Sequence, residues 1–99
     1  MCSVALCLLV LATPGFATQP PAQTSPSKLL VQGQQAYEAG RLQQAKQQWQ
    51  QAVQGYRQRH RPVDVALSLS YLALSYQELG QWQQAEQTIQ QSLALLDNN

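Results

Sequence analysis

One length of this chain repeats itself, and that constrains the fold more than anything else in it. Shifting the sequence by 40 lays Glu38-Ala39-Gly40-Arg41-Leu42-Gln43-Gln44-Ala45 over Glu78-Leu79-Gly80-Gln81-Trp82-Gln83-Gln84-Ala85, and between residues 38 and 51 eight of fourteen positions are identical. Five of the eight are Gln in a chain of 99 residues that holds twenty, so they carry little weight. Glu38/Glu78, Gly40/Gly80 and Ala45/Ala85 survive that discount, together with the apolar pairs Leu42/Trp82, Trp49/Ile89, Val53/Leu93 and Tyr56/Leu96. A chain built this way stacks equivalent units and cannot bury the apolar face of one unit alone.

Within each unit the apolar period is helical. Val65, Leu69, Leu72 and Tyr76 follow i, i+4, i+7, i+11, and Trp82, Ala85, Ile89, Leu93 and Leu96 make a similar stripe. In the first unit Leu29, Leu30, Gly33, Ala36 and Tyr37 form one stripe, and Leu42, Ala45, Trp49, Ala52, Val53 and Tyr56 a second. Gly40 and Gly80 break each unit in two, where a helix end needs a residue at positive φ before the chain reverses. Pro62 suits a first helical turn and Asp64 the positive end of the helix dipole. The spacing predicts helices over 27–39, 42–59, 62–79 and 82–97, as two hairpins, 28–61 and 62–97. Ala45 and Ala85 are small enough to let helices approach closely, while Trp49 and Ile89 fill the space one turn later.

A helical hairpin with Gly at the turn, Ala five residues on and a bulky apolar residue four after that resembles the tetratricopeptide repeat. The resemblance spans 27–97 and is sharpest in the second unit, at Leu72, Ala73, Tyr76, Gly80, Ala85 and Ile89; in the first, Gln32 and Ala36 stand where a large apolar and an aromatic residue belong. It implies an all-α, right-handed solenoid fragment of two hairpins. Six residues beyond the usual period, around Gln58 to Val63, imply the longer helices of light-chain-like variants.

The amino-terminal part reads differently. Val4–Ala12 is an apolar run too short to span a bilayer, broken at Pro14-Gly15, and Gly15-Phe16-Ala17 suits cleavage after Ala17, so 1–17 is expected to be a secretory signal peptide. Residues 18–27, TQPPAQTSPS, read as a solvated Pro/Gln linker. Both cysteines, Cys2 and Cys7, fall in the signal, which leaves the mature chain without a disulfide. A secreted or periplasmic location follows, with no stable membrane insertion once the signal is removed. Signal, linker and repeats in this order look like the start of bacterial secreted proteins in which tetratricopeptide repeats precede a caspase-like CHAT domain.

Chemistry has little material here. Six Lys and Arg against five Asp and Glu, a net charge of +1, offer no field for nucleic acid. One His and five scattered carboxylates give no expected catalytic, metal or cofactor site. The one basic cluster, Arg57-Gln58-Arg59-His60-Arg61, reads as a solvated helix end whose cations complement the carboxyl terminus of the second helix. Ser68, Ser70 and Ser75 lack a neighbouring His and read as helix-surface residues. Trp49 and Trp82 lie on core stripes, and Gly40, Ala45, Trp49, Gly80, Trp82, Ala85 and Ile89 are taken as structural.

The resemblance places a partner-binding surface on the inner face of the first helix of each hairpin: Leu30, Gln34, Tyr37 and Glu38, then Leu67, Ser70, Tyr71, Leu74, Gln77 and Glu78. Leu30 and Gln34 occupy places where carboxylate-gripping members of the family carry Lys and Asn, which argues against a chaperone-tail clamp. The expected function is a non-catalytic module that binds a protein or peptide through this face. The alternative is the opening part of a longer protein with no independent function. Apolar Ile89, Leu93, Leu95 and Leu96 near the end also predict self-association through the last helix.

Overall fold

The computed structural model describes residues 24–97, and the expected signal peptide and most of the linker lie outside them. Four helices follow in order: α1 Pro26–Glu38, α2 Leu42–Gln58, α3 Pro62–Glu78 and α4 Trp82–Asp97. Each packs on the next along the chain, and no strand occurs among the described residues. The fold is the all-α pair of hairpins expected from the sequence.

Helix α1 starts at Pro26, inside the expected linker, because Ser25 caps it: its hydroxyl accepts the Lys28 backbone N–H at 3.3 Å, and proline at the first helical position gives up no needed donor. The three turns share one geometry. Gly40 donates to the Tyr37 carbonyl and Arg41 to that of Ala36; His60 donates to Arg57 and Arg61 to Tyr56; Gly80 donates to Gln77 and Gln81 to Tyr76. This is the Schellman arrangement, which needs a left-handed residue just past the helix end. Gly40 and Gly80 supply it at φ 81° and 77°, and His60 supplies it at φ 54°. The backbone therefore turns at 40, 60 and 80, and the extra residues of each repeat have gone into helices of 17, 17 and 16 residues.

The core centres on Trp49, which is completely buried. Its indole lies against α1 where Gly33 has no side chain, since a Cβ there would overlap Trp49 Nε1. The same nitrogen donates to the Leu30 carbonyl at 3.2 Å. Val53 and Tyr56 continue the α2 seam and join Val65, Leu69 and Leu72 of α3 in one apolar cluster. Between α3 and α4 the contact is made by small residues: Ala66, Ala73, Ala85, Thr88 and Ser92 are all buried, and the Ser92 hydroxyl donates across to the Ala66 carbonyl at 2.8 Å.

Two expectations fail here. Trp82 is 66% exposed and Ile89 37%, so neither belongs to the core. On α4 the buried stripe is Ala85, Thr88 and Ser92, and the larger apolar residues Trp82, Ile89, Leu93 and Leu96 lie beside it on the side left exposed. Ser68 and Ser75 are not surface residues but fully buried, and their hydroxyls donate to the backbone carbonyls of Asp64 at 2.8 Å and Leu72 at 2.6 Å, which satisfies them inside the helix layer.

Candidate functional site

The partner-face residues of α3 do come together. Leu67, Ser70, Tyr71, Leu74 and Gln77 line one hollow of about 430 Å³, closed on its far side by Ile89 of α4 and floored by Ala73. Helical spacing of 67, 70, 71, 74 and 77 puts all five on one side of α3, and α4 approaches closely enough to wall them in because Ala73 and Ala85 are small. Leu67 is 47% exposed, Tyr71 and Leu74 are half-buried, and the Ser70 hydroxyl is occupied by the Ala66 carbonyl and Ser92. A second hollow, of about 520 Å³, adjoins the first through Gln77 and Ile89 and runs on past Trp82 and Glu86.

Rings set the position of the site. Tyr71 stacks on Trp49 with centroids 5.2 Å apart and planes at 24°, and Tyr37 meets Trp49 at 5.9 Å with planes at 39°. The tilt of α3 is thus tied to the indole in the core, and with it the wall that Tyr71 and Leu74 present.

The α1 half of the expected surface does not reach the hollow. Leu30 and Tyr37 are half-buried packing residues around Trp49, while Gln34 and Glu38 are exposed and bonded to each other, Gln34 Nε2 donating to Glu38 Oε2 at 3.5 Å. Glu78 is exposed at the end of α3. Lys46 Nζ sits 5.8 Å from the centre of the Tyr76 ring, and Gln50 Nε2 donates to the Tyr76 hydroxyl at 3.2 Å, so that aromatic is engaged with α2.

The basic cluster behaves as a helix end. Arg59 Nη1 donates to the Gly55 carbonyl in the last turn of α2 at 3.2 Å, and Arg61 pairs with Asp64 at 2.7 Å. Sequence reasoning missed that Arg57, His60 and Arg61 also rim a hollow of about 680 Å³ with Pro62, Val65, Ala94 and Leu95 on its walls. The available signal was the spacing of twenty between Gly40, His60 and Gly80, which marks a third turn at the cluster.

No group of three or more His, Cys, Asp or Glu that could hold a metal occurs among the described residues. Nor is any described helix long and apolar enough to cross a membrane. The hollow offers apolar walls, three side chains with hydrogen-bonding groups in its lining, Ser70, Tyr71 and Gln77, and no paired acid and base. It can hold a side chain and orient a backbone. A family model described as tetratricopeptide repeat matches residues 27–98. No curated protein and no solved structure matches the chain.

Proposed function

The chain belongs to the tetratricopeptide repeat family, and from that membership we propose a non-catalytic module, secreted or periplasmic, that binds a peptide segment of another protein in the hollow between α3 and α4. The observation that carries this is the wall of Leu67, Tyr71, Leu74 and Ile89, apolar yet open to water, with Gln77 among it as a polar contact, the Ser70 hydroxyl being held by Ala66 and Ser92. Aromatic and aliphatic walls with a few fixed polar groups suit an apolar anchor side chain whose flanking backbone hydrogen-bonds at the rim.

Selection of displayed peptides on the purified protein tests the reading. Peptides carrying an apolar anchor should be enriched, and Leu74→Asp should weaken them at least tenfold, about 1.4 kcal/mol or more, while Val63→Asp, an exposed position outside the hollow, leaves them bound. Peptides that bind both variants equally would place the interaction elsewhere.

A second reading treats the two hairpins as the opening repeats of a longer solenoid ahead of a CHAT domain. The large apolar residues that α4 turns toward water favour it. Codons for further repeats in the DNA beyond Asn99 would support it, and their absence would remove it.

A further inference from the structure

Helix α4 carries an apolar seam equivalent to one already in use elsewhere in the molecule. At the 40-residue offset, Ile89, Leu93 and Leu96 correspond to Trp49, Val53 and Tyr56, which α2 buries against α3. On α4 the same positions are 37%, 55% and 47% exposed, and Trp82 continues the line at 66%. We infer that this seam is the interface of a symmetric dimer, in which α4 lies antiparallel against α4 of a second copy.

The occupant follows from what each described helix has left to offer. Helices α2 and α3 are each packed on both neighbours. The face of α1 that corresponds to the α2-facing side of α3 carries Lys28, Gln32 and Gln35 where α3 has Ser68, Leu72 and Ser75, and Lys28 and Gln35 stand in water. Stacking a second copy head to tail would bury that lysine and two amides against leucines, which is costly without partners. An open-ended chain of copies is therefore disfavoured. Among the described helices, the complement left for the α4 seam is the α4 seam of a second copy.

Its spacing suits a two-fold axis. Residues 89, 93 and 96 fall 4 and 3 apart, the alternation that lets two helices interlock along a seam, and Trp82 lies two turns before Ile89 with Glu86 between them. The axis passes at Ile89, midway between 82 and 96, so that Ile89 meets its own copy and Trp82 meets Leu96 of the other chain. Glu86, exposed between Trp82 and Ile89, and Asp97 beside Leu96 border the seam, with Gln83, Gln87 and Gln90 further out on the same side. The four side chains leave about 400 Å² in water, so pairing covers about 800 Å² of apolar surface. That lies below the usual size of stable specific interfaces, so the dimer should be weak and dissociate in about the micromolar range. The inference rests on the repeat geometry; because Ile89 also walls the α3 hollow, a peptide bound there and a second copy would compete for it.

Sedimentation velocity of the full chain, from about 1 to about 100 µM, tests it. The wild type should pass from monomer to dimer over that range. Ile89→Lys and Ile89→Glu should each remain monomeric with unchanged helical circular dichroism, and mixing the two should restore a dimer, since opposite charges then meet on the axis. Val63→Lys, exposed but off the seam, should dimerise as the wild type does. A wild type that stays monomeric throughout would overturn the inference and leave the seam to a helix of another chain or a further repeat. Association that persists in both Ile89 variants would also overturn it, by placing the contact elsewhere, for example on the apolar run at residues 4–12. A mixture that fails to re-form the dimer would overturn the two-fold arrangement.

Discussion

At His60 an L-residue holds the left-handed backbone that its two counterparts, Gly40 and Gly80, hold without a side chain. That conformation costs a residue with a Cβ about 1–2 kcal/mol, against roughly 0.5–1 kcal/mol of extra chain entropy that glycine loses on folding. His60→Gly should therefore stabilise the fold by about 0.5–1 kcal/mol, read as a higher urea midpoint at an unchanged slope. Gly80→Val reverses the argument. Nothing lies within 4 Å of an added Cβ at Gly80, so a loss of about 1–3 kcal/mol would come from the residue's own backbone and not from a neighbour. Gly33 is the opposite case, an ordinary helical residue whose Cβ would meet the Trp49 indole. Gly33→Ala should gain up to about 1 kcal/mol of helix propensity yet destabilise by about 1–3 kcal/mol net, and Trp49→Leu in the same chain should recover part of that loss. Denaturation of the two single variants and the double variant gives the coupling, and additive losses would mean that Gly33 and Trp49 do not share the slot.

The helices themselves were legible before the structure. Predicted limits differ from the observed ones by no more than one residue, because Gly40, Gly80 and Pro62 are conformational signals that act locally. The side on which α4 buries itself was not. Trp82, Ile89, Leu93 and Leu96 copy the stripe of α2, and periodicity reports that a stripe is apolar without reporting whether a partner stands against it. In α2 the following helix covers the stripe, whereas no described helix covers it in α4. What holds α4 to α3 is a quieter pattern of Ala85, Thr88 and Ser92, which a search for large hydrophobic residues passes over. The partner face divided for a related reason: Leu30 and Tyr37 sit in the same register as Ser70 and Gln77, but the larger Trp49 draws them into packing where Ile89 leaves their counterparts open. Substitutions should follow this division. Trp82→Gln should change monomer stability by no more than about 0.5 kcal/mol, as an exposed position does, whereas Ser92→Leu should cost about 1–3 kcal/mol by forcing α4 off Ala66 and Ser70. Thermal melts at low protein concentration, where the dimer contributes least, would separate the two.

Taken whole, the molecule has unlike ends. Helix α1 faces outward with Lys28, Gln32 and Gln35, and α4 with Trp82, Ile89, Leu93 and Leu96. One end tolerates water and the other asks for cover. Stacked repeats draw much of their stability from the neighbours they pack against, so the proposed contact at α4 should add to what holds these two hairpins folded. Such a contact binds the native state and not the unfolded one, and mass action then makes stability depend on concentration. A hundredfold rise in protein concentration adds up to about 2.7 kcal/mol per dimer, or about 1.4 kcal/mol per chain, once most of the protein is paired. For a domain of this size 1 kcal/mol moves the melting temperature by about 4–8 °C, so the wild-type midpoint should rise by about 5–10 °C over that range. Ile89→Lys should lie at the low end and stay there. A wild-type midpoint that does not move with concentration would show that four helices are stable without a partner at α4, and that the exposed seam is a surface the fold carries without needing it covered.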